Sequence, residues 1–256
     1  MKVYDAPSIR NVALVGHTGS GKTQLASTIL SDTGMVNRLG KVDDGTTVTD
    51  FDEEEIARKH TLSASLAYAE WNKHKINLID SPGIGNFLSD ARAALQVTEA
   101  ALVVVDAVSG VMVQTEKVWA AADELQLPRI VVLNRLDRER ASLERALQSL
   151  REACSRAVIP IQLPMGEEKG FRGIVDLITR KAYTFQTDES AKFTETAIPD
   201  GLKASVDALI VSRYGMRGGF RLTSTPNRRF SLATVTSMCT WPWPASSSSL
   251  VCGSRV

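Results

Sequence analysis

Short apolar runs bounded by turn residues alternate along the chain with longer stretches in which apolar positions recur every three or four residues. That is the pattern of strands feeding crossover helices around a mostly parallel sheet, so the expected fold class is α/β. Residues 11–15 read as a buried strand, a Gly-rich turn follows, and residues 22–33 read as a helix that ends near Gly34. Residues 62–71 and 75–79 form an expected hairpin. The Val/Ile/Leu runs at 101–105 and 129–133 suit central strands covered on both faces, with a helix over 114–125 between them. In residues 142–154, Leu143, Leu147 and Leu150 make one apolar helix face that belongs against a core. Residues 159–164 read as another short strand, and 171–185 mix apolar and basic residues as a small peripheral subdomain would. Beyond Val211 the periodicity stops: Trp241, Pro242, Trp243 and Pro244, then four serines and scattered arginines, read as loop or disorder. No internal repeat is visible.

Composition bounds the function classes. The 256 residues are 43% apolar and 23% charged, ordinary for a globular protein of one large or two small domains. The net charge of +1 gives no support to a nucleic-acid or membrane partner held by bulk charge. It conceals a split, because residues 212–256 hold six Arg and no Lys, Asp or Glu, leaving 24 basic residues against 29 acidic ones before them. Cys154, Cys239 and Cys252 are odd in number and lack metal-ligand spacing, which points to a reducing, cytoplasmic setting. The apolar run at 100–105 is broken by Asp106, far short of the roughly 20 residues of a membrane span.

Three motifs carry chemistry. Gly16, His17, Thr18, Gly19, Ser20, Gly21, Lys22 and Thr23 fit GxxxxGK[ST], placed after a strand and opening a helix. Glycines let successive backbone N–H groups and the positive helix end surround a phosphate chain, Lys22 reaches the β and γ phosphates, and Thr23 ligates magnesium. His17 and Thr18 need only fit the loop. Asp80, Ser81, Pro82 and Gly83 end an apolar strand, where Asp80 can hold a magnesium-bound water and the Gly83 N–H can sense the γ-phosphate that GDP lacks. Asn134, Arg135, Leu136 and Asp137 end another and decide the base. Guanine presents N1 and N2 donors that the Asp137 carboxylate accepts together, whereas adenine would leave that carboxylate unpaired. The expected ligands are GTP or GDP with Mg2+. Residues 49–61 read either as a solvated surface loop or as a loop ordered by the γ-phosphate and magnesium, with Thr61 as the closing ligand.

The order of these motifs resembles that of the translational GTPases. Residues 44–55, 134–141, 159–168 and 171–178 are similar to segments of elongation factor G and elongation-factor-G-like proteins, and the similarity runs from about Ser8 to about Ile210. The resemblance implies a P-loop G domain that hydrolyses GTP, a monomer, and a ribosome-linked role in translation elongation. It assigns phosphate chemistry to Lys22, Thr61 and Gly83, and magnesium to Thr23, Thr61 and Asp80. At the position after Gly83, where the family has a water-positioning His, this chain has Ile84, which cannot hydrogen-bond through its side chain, so weak hydrolysis is expected. Arg135 replaces the family's Lys, and Arg58, Lys59 and His60 stand where Arg-Gly-Ile is usual. The family continues through a last strand, a Ser-Ala loop on guanine and four more domains. Residues 250–254 resemble that strand and loop faintly, with Arg255 in place of Ala, and residues 212–249 resemble none of it. The expected organisation is therefore a GTP-binding core over 1–158, a partial inserted subdomain over 159–211 and a disordered tail over 212–256. A change of reading frame near Val211 and an early stop would account for such a tail. The alternatives are a nucleotide-dependent interaction module without efficient hydrolysis, or a non-functional fragment.

Overall fold

The protein, a computed structural model, is described over residues 2–155, 158–185, 193–214 and 234–238. Its strands are β1 (Ile9–Val15), β2 (Ser65–Trp71), β3 (His74–Asp80), β4 (Ala100–Asp106), β5 (Arg129–Asn134), β6 (Ile159–Pro160), β7 (Gln162–Met165), β8 (Gly173–Asp176), β9 (Lys181–Phe185), β10 (Phe193–Thr196) and β11 (Thr234–Met238). The helices are α1 (Lys22–Asp32), α2 (Glu53–Arg58), α3 (Leu88–Gln96), α4 (Val113–Glu124), α5 (Leu143–Ala153) and α6 (Asp200–Tyr214). A seven-stranded sheet has the order β2-β3-β1-β4-β5-β11-β6, and a four-stranded sheet the order β10-β9-β8-β7. In the larger sheet β2 pairs antiparallel with β3 and the remaining pairs are parallel.

The apolar runs are continuous because these strands bury both faces. Odd-numbered residues of the three central strands, Ala13, Val15, Val103, Val105, Val131 and Leu133, pack against α3, α4 and α5 through Leu95, Val118, Trp119, Leu147 and Leu150. Even-numbered Leu14, Val104 and Val132 pack on the opposite side against Leu25 and Ala26 of α1. Each fully buried Val or Leu contributes roughly 1.5–3 kcal/mol of transfer free energy, so α1 is held at the sheet by its apolar stripe. Since β1, β3, β4 and β5 run parallel, the loops after Val15, Asp80, Asp106 and Asn134 all leave from one edge. That edge collects the three sequence motifs.

Three local readings change. The polar segment before Thr61 contains a helix, α2, capped by Asp52 Oδ1 accepting the Glu54 N–H at 2.8 Å and reinforced by the Glu54–Arg58 pair. The strand expected over 159–164 is divided: Ile159–Pro160 stays in the larger sheet and Gln162–Met165 starts the smaller one. The tail read as loop contributes β11, which lies between β5 and β6, and α6 continues past Val211 to Tyr214. Backbone pairing decided this placement where side-chain periodicity gave no signal. Residues 239–256, including the faint match at 250–254, lie outside the described residues. The smaller sheet has its own core of Leu163, Val175, Leu177 and Ala182 beneath Val206 of α6, and Leu143 of α5 touches both cores. Among the described residues no helix is long and apolar enough to cross a membrane.

Candidate functional site

The loop from Gly16 to Thr23 turns β1 into α1. At Gly21 the backbone enters the left-handed region with φ 96°, and a Cβ there would collide with the Asn134 amide. Lys22, the first helical residue, folds back over the loop and donates from Nζ to the carbonyl oxygens of Gly16 at 3.1 Å and His17 at 2.9 Å. Burial pulls its pKa down to about 8, against the carboxylates of Asp80 and Asp50, which raise it. Thr18 and Gly19 remain exposed at the tip. Gly83 brings the second motif onto the first, since a Cβ there would lie 2.5 Å from Lys22 Nζ and from the Thr18 nitrogen. Pro82 beside it is buried. The Gly83 N–H and the Lys22 ammonium therefore belong to one site.

Beneath the loop, oxygens gather. Thr61 Oγ1 donates to Asp50 Oδ1 at 2.8 Å, so the 2.9 Å contact between the Thr23 and Thr61 hydroxyls has Thr23 as donor. Asp80 is fully buried and neither of its carboxylate oxygens has a hydrogen-bond partner among the described residues. Burial pushes its pKa up to about 6, while the hydroxyls of Thr23 and Thr49 and the Lys22 charge pull it back down. Those hydroxyls lie beside the carboxylate without completing hydrogen-bond geometry. Burial likewise raises Asp50, against the hydrogen bond from Thr61. Two hydroxyls and two carboxylates at one point form a hard-oxygen set of the kind Mg2+ takes, and the unspent acceptors of Asp80 fit such a cation.

The third motif divides its labour. Asn134 is buried, and its amide donates from Nδ2 to the Ser20 carbonyl at 2.9 Å while Oδ1 accepts the Arg135 N–H at 2.9 Å. It braces the phosphate-loop candidate against the end of β5. Arg135, in the left-handed region at φ 64°, donates from Nη1 to Asp106 Oδ2 at 2.8 Å. Burial pushes the Asp106 carboxyl up, but Arg135 and the N–H groups of Val108 and Ser109 outweigh it and hold it below the usual range. Leu136 is fully buried with Ala107 and Ala141, turned into the core, and Asp137 is exposed on the same loop. Ser81 donates to the Leu14 carbonyl at 2.6 Å, a stitch between β3 and β1. Ile84 is half-buried, with its backbone extended. His17 is buried against Thr115 of α4 at 3.2 Å, and burial, with Lys22 nearby, depresses its pKa to about 4. It is a neutral packing group at pH 7.

Sequence reasoning missed Asp50, Asp106 and Thr115. Asp50 stands in an acid-rich stretch with Asp52, Glu53, Glu54 and Glu55, and nothing in that stretch singles it out. Asp106 was visible as a polar residue ending an apolar strand, the position that also marked Asp80. Thr115 carried no signal.

Residues 7–231 match the elongation factor Tu GTP binding domain family. The chain belongs to that family. The match extends beyond Ile210, the expected end of the resemblance. Relatives include elongation factor G of Mycoplasma pneumoniae, 36% identical over 205 residues, with 80% of this chain and 30% of the relative covered. Elongation factor G 2 of Streptomyces coelicolor is 39% identical over 203 residues, covering 79% and 29%. A crystal structure of a Thermus thermophilus protein superposes with a TM-score of 0.78 at 31% identity, covering 91% of this chain and 38% of that one. The chain thus spans about 30% of the length of the curated relatives named here. The fold is the P-loop G domain of a translational GTPase family.

Proposed function

We propose that this G domain binds GTP and GDP with Mg2+ and acts as a GTPase of the elongation factor G type. The observation that carries the reading is the convergence at one sheet edge of Lys22, Thr23, Thr61, Gly83 and the buried Asp80, whose carboxylate has no hydrogen-bond partner among the described residues. In this reading the N–H groups from Gly16 to Thr23 and the Lys22 ammonium hold the phosphates. Thr23 and Thr61 present hydroxyl oxygens to Mg2+, Asp80 holds one of its waters, and Asp50 orients Thr61. Bound magnesium would neutralise charge developing on the phosphate oxygens. The Gly83 N–H would donate to the γ-phosphate, and Asp137 would accept both guanine donors. Arg135, steered by Asp106, would lay its stem beside the base, with Asn134 acting through Ser20 rather than on guanine directly.

The relatives' names support a role in translation elongation; with it we propose, from the family resemblance alone, the ribosome as partner, a cytoplasmic setting and a monomer. In this reading an inserted subdomain lies within residues 159–211, beginning at β7 after Ile159–Pro160 has joined the core sheet, which also takes β11. Replacing Asp137 with Asn is the test. Loss of GDP binding with gain of xanthosine diphosphate binding is expected, because an amide can donate to the xanthine C2 carbonyl. Unchanged GDP affinity would remove Asp137 from the site.

One observation favours a second reading, a nucleotide-dependent interaction module with inefficient hydrolysis. Ile84 puts a hydrocarbon where the family positions its water, and a positioned base contributes about 10² to 10⁴ in rate. Turnover measured with and without ribosomes separates the readings, and the Ile84→His variant sharpens the comparison. It should turn over GTP faster than wild type, whereas equal rates would place the defect elsewhere.

A further inference from the structure

Helix α2 is six residues long, and its only buried residue is Glu55, a carboxylate where an amphipathic helix would place an apolar anchor. That residue brackets Thr61. Its main-chain carbonyl accepts the His60 N–H at 3.2 Å, and its Oε1 accepts the N–H groups of Leu62 at 2.8 Å and Ser63 at 3.1 Å, with the Ser63 hydroxyl at 3.3 Å. Oε2 is buried without a hydrogen-bond partner among the described residues. We propose that Glu55 is a positioning residue that sets the Thr61 hydroxyl toward Asp50 and Thr23, and so supports the triphosphate-bound state in preference to the diphosphate-bound one. The inference rests on the nucleotide reading above.

The physical reason lies in what holds α2 down. A hydrocarbon anchor would dock the helix whatever occupied the site. A carboxylate docks it only while the two N–H groups after Thr61 point inward, so helix and hydroxyl are ordered together or not at all. The strain in the same turn agrees with that linkage. Lys59 closes α2 in the left-handed region at φ 56°, a conformation unfavourable for a residue with a Cβ that persists only where its surroundings hold it. Glu55 would touch neither phosphate nor metal. Its effect passes through Thr61, which belongs to the part of the site expected to distinguish GTP from GDP.

The test uses the whole 256-residue chain, with dissociation constants for a non-hydrolysable GTP analogue and for GDP measured in magnesium. Glu55→Leu keeps the bulk and removes the acceptor, and Glu55→Gln keeps one acceptor oxygen. The expected result for Glu55→Leu is about a tenfold loss for the GTP analogue with GDP affinity within about twofold, and a smaller loss for Glu55→Gln. The GDP arm also reports whether the variant folds. Equal losses for both nucleotides would make Glu55 a structural group only, and no loss for either would leave Thr61 positioned without it; each overturns the inference. Wild-type protein that binds neither nucleotide would overturn the nucleotide reading itself.

Discussion

Among the described residues, no hydrogen bond reaches the buried Asp80 carboxylate. Its pKa, raised by burial from 3.8 to about 6, means that the folded protein binds a proton more readily than the unfolded chain between those values, so this group makes stability fall as pH rises from about 4 to about 6. His17 has the opposite sign. Depressed from 6.5 to about 4, it favours the folded state above pH 6.5 and takes that stability away as pH falls toward 4. The two oppose each other in mildly acidic solution. Asp80→Asn should therefore raise stability at pH 7, without divalent cations, by on the order of 3 kcal/mol. It should also leave a steeper loss between pH 6.5 and about 5, while magnesium-dependent nucleotide binding disappears. Chemical denaturation at neutral and mildly acidic pH checks this, and an Asp80→Asn protein less stable than wild type at pH 7 would contradict it. Asp80 was legible because it ends an apolar strand with a glycine three residues on. Asp50 was not, because its partner Thr61 lies eleven positions away and their meeting depends on a helix that polar residues alone gave little sign of.

At the scale of elements, the site depends on four parallel strands ending together, and β1, β3, β4 and β5 were each readable as apolar runs closed by a polar or glycine residue. The helices with apolar stripes were legible for the same reason. Helix α2 has no such stripe: five of its six residues stay out of the core, and its stability comes from the Asp52 cap, the acidic first turn and an i,i+4 ion pair. Nor could periodicity divide residues 159–164 between two sheets, since alternation is the same on either side of Ile161. The Asn134 side chain links β5 to the loop after β1. Asn134→Ala should cost about 1–3 kcal/mol by leaving the buried Ser20 carbonyl unpaired, and should weaken GDP binding even though no guanine contact is removed. Melting and GDP titration of the variant check both effects, and retention of both would show that the brace carries no energy.

Across the whole molecule, β11 decides how the last region of the chain relates to the rest. It sits between β5 and β6 with Thr236 opposite Val132, inside the sheet rather than at its edge. Its sequence has the β-branched residues of a strand, but it follows a long stretch with no repeat, and its surroundings differ in charge from the first 211 residues. Position in the sheet comes from pairing partners far away in sequence, which no local pattern records. Thr236→Pro puts a proline into the strand paired with β5 and should destabilise the protein by roughly 1–3 kcal/mol. A melt unchanged by that substitution would show that the larger sheet is complete without β11.

The central claim is that this chain reads guanine, and the most direct measurement is a thermal melt of the 256-residue protein in magnesium with no ligand, with GDP and with ADP at matched concentration. A ligand at ~100 times its dissociation constant adds about 2.7 kcal/mol, which for a domain of this size raises the midpoint by several degrees. The account predicts that shift with GDP and none with ADP. Equal shifts with both nucleotides, or no shift with either, would contradict it.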